Sequence, residues 1–188
     1  SFSWEQARKL LSGLPGGRGI NIAHEAVDRH VAAGRGERVA LRFLRKKGAS
    51  EELSYSTLQR RTNRFANALR VLQVPVGERV FSLLGRQPEL YVAALGALKA
   101  KAVFCPLFSA FGPEPIATRM NIGEARVLVT TEKLYEKKIT PIRAQLPSLR
   151  HVIVIGEAGA KTATEGTLDW ASLLETASDR FEIPPTSP

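Results

Sequence analysis

Residues Leu90 to Ile116 read L-Y-V-A-A-L-G-A-L-K-A-K-A-V-F-C-P-L-F-S-A-F-G-P-E-P-I. Alanine, glycine and leucine dominate the first part, which predicts a small-residue helix running from Pro88 to about Ala100. Ala102 to Pro106 predicts a short apolar strand. A loop of aromatic and small residues follows, and the step Gly112-Pro113 opens another helix, closed near Gly123.

The same rhythm continues on both sides. Arg79 to Leu84 predicts a nearly continuous apolar strand, as do Arg126 to Thr130 and His151 to Ile155. A helical piece around Pro141 to Leu146 separates the last two. Fully apolar strands alternating with helices pair in parallel and are covered on both faces. Right-handed crossovers then give an α/β fold with a doubly wound, mostly parallel sheet layer and flanking helices.

Ahead of this layer the sequence predicts a small helix and hairpin region. Residues 3–12 form a short amphipathic pattern with Trp4, Ala7, Leu10 and Leu11 on one side. Asn21 is placed to cap a helix running to about Ala33. Val39, Leu41 and Phe43 alternate as a strand, K-K-G-A turns the chain, and Glu52 to Tyr55 returns. Ser56 with Gln59 suggests a capping box for a helix whose stripe is Leu58, Thr62, Phe65, Leu69 and Leu72. After Gly156 the pattern weakens. Thr167 or Asp169 caps a short helix, and Ser178 to Pro188 is an extended, proline-rich tail. The expected organisation is an N-terminal helix and loop over residues 1–20, an α/β unit over 21–156, and a flexible segment, helix and tail over 157–188. Such a tail requires either further chain beyond it or a path back onto the domain.

Composition narrows the function. With 44% hydrophobic and 24% charged residues, the 188-residue chain can bury a core and is not disordered by composition. It has no signal-peptide pattern and no run long enough to span a membrane, and its single cysteine, Cys105, rules out an internal disulfide. A cytoplasmic protein is expected, without a membrane partner. The net charge of +9 favours anionic partners, but the basic residues are dispersed. Their densest group is Arg42, Arg45, Lys46 and Lys47 at the hairpin tip, so nucleic acid is not the expected partner.

Several motifs dissolve on inspection. Gly156-Glu-Ala-Gly-Ala-Lys-Thr162 lacks the spacing of a phosphate loop, because Ala160 separates glycine from lysine. His24, His30 and His151 have no neighbour at metal-ligand spacing. Cys105 reads as a small hydrophobe within its strand. Glu89, Glu114 and Glu132 sit at helix starts, where they complement the dipole. Two features remain. Phe108-Ser109-Ala110-Phe111-Gly112 lies past the carboxyl end of a parallel strand, where open sheets bind ligands. Thr131 to Lys138, with Lys133, Lys137 and Lys138, lies past the next strand and offers point charges to phosphate. From the residues alone, core packing for the two phenylalanines and a solvated face for the lysines is the favoured account.

The blocks N-I-A-H-E-A-V-D-R-H, N-R-F-A-N-A-L-R, G-E-R-V-F-S-L-L-G-R-Q-P-E-L-Y and G-A-L-K-A-K-A-V-F-C-P-L-F-S-A-F-G-P-E-P-I occur in order. Together they resemble the N-terminal region of acetyl-CoA synthetases, in the adenylate-forming acyl-CoA ligase superfamily. The resemblance spans about Asn21 to Ile155. One departure is Lys101, where the family usually carries glycine. The resemblance implies an AMP-forming acetate, or short-chain acyl, CoA ligase that uses ATP with Mg2+ and coenzyme A. It implies that Phe108, Ser109 and Ala110 border coenzyme A and that Lys137 and Lys138 lie near its phosphates. The family's phosphate loop, Mg2+ contacts and catalytic lysine have no counterpart here. The expectation is therefore an N-terminal fragment without activity of its own, with no catalytic or metal-binding residue and no tightly bound cofactor. Its expected partners are acetate, ATP, coenzyme A and the rest of the ligase chain, with self-association through exposed apolar surface. A self-contained coenzyme A- or nucleotide-binding or scaffold module on the same fold is the alternative.

Overall fold

The computed structural model describes residues 3–44, 50–157 and 160–186. The predicted hairpin turn and the basic residues 45–47 lie outside that set. So do part of the glycine stretch after Gly156 and the final Pro188.

Five strands form one parallel sheet in the order β4-β3-β5-β6-β7: β3 Arg79–Leu83, β4 Val103–Leu107, β5 Val127–Thr131, β6 His151–Ile155 and the two-residue β7 Leu168–Asp169. The doubly wound expectation holds. Every pairing is parallel, with Val80 opposite both Phe104 and Val127, and Leu128 opposite Val152. Alternate residues on each strand enter different cores, which is why the strands read as continuously apolar. Val80, Val127, Val129, Ile153 and Ile155 pack with Phe65, Leu69, Val92, Ala93 and Ala97 on one face. Phe81, Leu83, Leu128, Val152 and Val154 pack with Ile116, Met120, Ile139 and Leu146 on the other.

The first face is covered by α2 Tyr55–Val71 and α3 Pro88–Lys99, with α6 Trp170–Thr176 beside them. Gly96 is what lets α2 and α3 touch. A Cβ there would meet Phe65 Cδ1 at 2.8 Å and the Thr62 carbonyl oxygen at 2.9 Å. The second face is covered by α4 Pro113–Ile122 and by residues 132–145, in which α5 Glu132–Leu134 runs into a wider helical turn and a tight one.

Three helices enter their next strand through the same device. Gln73, Lys101 and Glu124, the second residues past α2, α3 and α4, have φ of 55°, 59° and 44°. The following amide then reaches back five residues, as Val74 to Leu69 (3.0 Å), Ala102 to Ala97 (2.9 Å) and Ala125 to Met120 (2.8 Å). This left-handed helix end normally calls for glycine. Here three side chains adopt it. Gly123 sits one position early for a different reason: a Cβ would lie 2.5 Å from Phe81 Cζ.

The N-terminal region follows expectation with two corrections. Asn21 caps a helix over residues 22–35, its Oδ1 accepting from the amides of Ala23 (2.9 Å) and His24 (3.2 Å). β1 Val39–Leu44 and β2 Ser50–Ser54 form an antiparallel hairpin apart from the main sheet. The cap of α2 is Ser54 rather than Ser56, accepting from Thr57 N at 3.2 Å. β2 ends there, so its last residue already has the extended backbone a cap needs. Gln59 instead reaches across to Asp28 Oδ1 at 2.9 Å. The apolar side of α1 Trp4–Lys9 is open, with Trp4 and Leu10 both exposed.

The tail returns onto the domain. Asn67 Nδ2 donates to the carbonyls of Ser178 (2.7 Å) and Arg180 (2.8 Å), and Asn63 Nδ2 to that of Asp179 (2.9 Å). Arg18 and Lys101 hold the carbonyls of Ile183 and Pro185 at 2.9 and 2.6 Å. Thr186 N donates to Arg18 O at 2.9 Å. These bonds address backbone, so they hold an extended segment that has no ladder partner.

Candidate functional site

The chain leaves β3 for β4 on one side and crosses back to β5 on the other. The strand order therefore reverses between β3 and β5, and their carboxyl ends flank the position where open sheets take ligands. A cleft of about 1220 Å3 opens there. Arg86 and Gln87 follow β3, Glu132 and Lys133 follow β5, Gly156 and Glu157 follow β6, and Leu41 and Phe43 of the hairpin close the side. Phe43 and Tyr91 form an edge-to-face pair on this wall, with centroids 5.6 Å apart. Sequence reasoning did not single out this cleft, because strand order is not written in local periodicity.

The two sequence-predicted segments sit at the same carboxyl end, and the structure brings them together. Phe108 to Phe111 is a closed turn in which Phe111 N donates to Phe108 O at 3.0 Å. Ser109 and Ala110 occupy its corners, where small side chains leave the backbone approachable. The two rings stand at 89°, with centroids 5.6 Å apart. Phe108 is 64% exposed, so the turn is not core packing for that ring. Phe111 is half-buried against the second core.

Thr131 starts the lysine segment by capping it, its Oγ1 accepting from Leu134 N at 3.4 Å. Tyr135 and Ile139 point into the core, which fixes the rotation of the turn between them. Lys138 is thereby aimed at the phenylalanine turn. Its ammonium donates to Phe111 O at 2.7 Å and also to Ser109 O. Lys137 is exposed and has no partner among the described residues, so its charge can meet an anion.

The other candidates take structural places. Cys105 lies on the edge strand β4 and is half-buried rather than enclosed; burial pushes its thiol pKa up, only partly opposed by Arg79. His24 is buried. His30 lies against Tyr55 with centroids 4.6 Å apart, while its Nδ1 accepts from Arg35 Nε at 3.2 Å. Lys161 pairs with Glu175 at 2.9 Å on the surface, and Thr162 N donates to Asp169 Oδ2 at 2.9 Å. Among the described residues no group of three or more His, Cys, Asp or Glu is placed to hold a metal ion, and no helix is long and apolar enough to cross a membrane.

A parallel sheet, with a reversal cleft and an aromatic turn at its carboxyl end, defines a doubly wound α/β domain. The chain belongs to the AMP-binding enzyme family, the adenylate-forming ligases, whose model matches residues 28–187. It is 36% identical over 183 residues to the acetyl-coenzyme A synthetase of Bacillus subtilis, covering 97% of this chain and 31% of that one. Against the acetyl-coenzyme A synthetase of Streptomyces coelicolor it is 32% identical, covering 80% of this chain and 24% of the relative. In structure it is similar to an acyl-CoA synthetase of Brucella canis, with a TM-score of 0.81 and 31% identity, over 99% of this chain and 32% of that one. The chain thus spans between 24% and 32% of the length of these relatives.

Proposed function

We propose that this chain is the N-terminal portion of an AMP-forming acetate, or short-chain acyl, CoA ligase, and that its turn Phe108-Ser109-Ala110 forms one wall of the coenzyme A site. The observation that supports this most directly is the Phe108 ring, left exposed on a turn that Lys138 fastens from below. An exposed ring on an ordered turn suits a flat ligand group. Lys137 supplies a point charge for the coenzyme's phosphates, and Lys138 offers charge that its two carbonyl bonds already hold in place. The likeness to acetyl-coenzyme A synthetases supports the same reading.

In the whole ligase, the carboxylate attacks the α-phosphate of ATP to give acyl-adenylate and pyrophosphate, and the thiol of coenzyme A then displaces AMP. Mg2+ would balance the charge of the ATP phosphates; the described residues offer it no carboxylate cluster. The residues of this chain serve the second half-reaction by binding and orienting the coenzyme. Alone it carries out neither half. Pyrophosphate release tests this: the 188-residue chain with acetate, ATP and Mg2+ should release none above background. Acetate-dependent release would overturn the reading. Calorimetry with coenzyme A separates it from a self-contained binding module. One wall of a site binds only in the millimolar range, whereas micromolar affinity would favour the module.

A further inference from the structure

The Phe108 turn is held by a second cation that the sequence does not mark. Arg119 lies on α4, and its guanidinium carbon stands 4.3 Å from the centroid of the Phe111 ring. Its Nη1 donates to Pro115 O at 3.0 Å, one helical turn back, which fixes the guanidinium over the ring. Phe111 then meets Phe108 edge to face, and Lys138 holds the carbonyls of Ser109 and Phe111. The turn is clipped from α4 through its ring and from residues 135–139 through its backbone.

Ordering an exposed aromatic ring costs side-chain entropy and returns little core burial. Phe108 is 64% exposed, so the fold alone gives no reason to hold it still. Resting on the coenzyme reading above, we propose that Arg119 is a positioning residue for coenzyme A. It fixes Phe111, and Phe111 presents Phe108 to a flat ring of the coenzyme. Arg119 acts through these rings and not by touching the ligand. A cation over an aromatic face is attracted by the ring quadrupole, and an exposed pair contributes about 0.5–1 kcal/mol, or about two- to fivefold in an equilibrium constant.

The test uses the 188-residue chain with ring-labelled phenylalanine, read by NMR, with coenzyme A titrated into the low millimolar range. In the unmodified chain the Phe108 and Phe111 ring signals are dispersed, and coenzyme A shifts Phe108. Arg119→Gln keeps the stem and removes the charge. It should move both ring signals toward averaged values and raise half-saturation about two- to fivefold, while the sheet amides stay unchanged. Arg119→Lys restores a cation and should return half-saturation to within about twofold of the parent. Arg119→Gln with parental ring signals and parental half-saturation overturns the proposal, and so does failure of Arg119→Lys to recover either. Ring signals that respond to Arg119→Gln in a chain that coenzyme A never shifts uphold the clip and overturn the coenzyme reading instead.

Discussion

Lys99 Nζ lies 2.7 Å from Asp28 Oδ1 and 2.6 Å from Asn63 Oδ1, with its side chain wholly buried. This contact ties the 22–35 helix and α2 to the end of α3. Burial pushes the Lys99 pKa down, opposed by Asp28. Removing the carboxylate leaves a buried ammonium with one neutral partner. Asp28→Ala should therefore cost about 3–5 kcal/mol in urea unfolding. The double variant Asp28→Leu with Lys99→Met replaces both charges with apolar groups and should recover most of that loss. A double variant no more stable than Asp28→Ala would show that packing, not the uncompensated charge, sets the cost.

Lys101 holds a φ of 59°, in the left-handed region that favours glycine. A side chain held in the left-handed region costs about 1–2 kcal/mol. The bond from Lys101 Nζ to Pro185 O at 2.6 Å is exposed and offsets part of this. Lys101→Gly should raise stability by about 0.5–1 kcal/mol, because relief of strain exceeds both the lost bond and the entropy of glycine. Thermal unfolding reads the result, and a lower midpoint would place more weight on the tail contact than on the backbone.

These residues also show what was legible in the sequence. The parallel layer was, because strands buried on both faces read as apolar runs and helix starts carry proline or a capping side chain. Pro88, Pro113 and Asn21 all stand where the pattern put them. The cap of α2 was misplaced by two residues because Ser54 and Ser56 both suit the role, and only the end of β2 decides between them. Phe108 to Gly112 and the lysine segment were legible as separate stretches. Their meeting through Lys138 depends on which residues of 132–139 face the core, and Arg119 gave no signal because its partner is a ring on another element. The tail was open in the sequence for a related reason: its partners, Arg18, Asn63, Asn67 and Lys101, are all at least 80 residues away in the chain.

Asn67 donates two bonds to the tail and Asn63 one, so the tail should loosen when these amides are lost. Asn67→Leu takes the Asn67 donor from the carbonyls of Ser178 and Arg180, the latter keeping only Ser178 Oγ at 3.5 Å, at about 1–3 kcal/mol locally. Gly19 provides an independent handle, because a Cβ there would sit 2.0 Å from Thr186 O. Its φ of 101° also disfavours any side chain. Amide exchange across residues 179–186 should accelerate in both Asn67→Leu and Gly19→Ala while the β3, β5 and β6 amides keep their protection. Uniform acceleration through the sheet would mean that the tail is part of the global folding unit.

Gly96→Ala offers a case in which helix propensity and packing disagree. In an exposed helix this change stabilises by about 1 kcal/mol. Here the new methyl meets Phe65 and the Thr62 carbonyl below 3 Å, and α2 must shift. The expected outcome is a loss of about 1–3 kcal/mol by chemical denaturation. A gain would show that α2 and α3 separate without cost.

Glu25 provides the pH dependence. Burial pushes its carboxyl up, but the backbone amides of Gly13 and Ser12 and the Arg29 guanidinium outweigh that and hold it below its ordinary value of 4.5. The Gly13 amide donates to Oε1 at 2.7 Å, and Arg29 Nη1 lies 2.8 Å from Oε2. In the unfolded chain Glu25 takes up its proton at the higher, ordinary pKa. The unfolded state therefore binds more protons between the two values, and stability rises with pH across that window. The contribution is fully present above pH 4.5 and disappears as pH drops through the folded value. The contact joins the 12–13 loop to the 22–35 helix, so acid should release that loop. Glu25→Gln should be less stable than the parent at pH 7, and the difference should shrink below pH 4.5. Unfolding measured at both pH values checks this, and a difference that stays constant would assign the role of Glu25 to its shape and not to its charge.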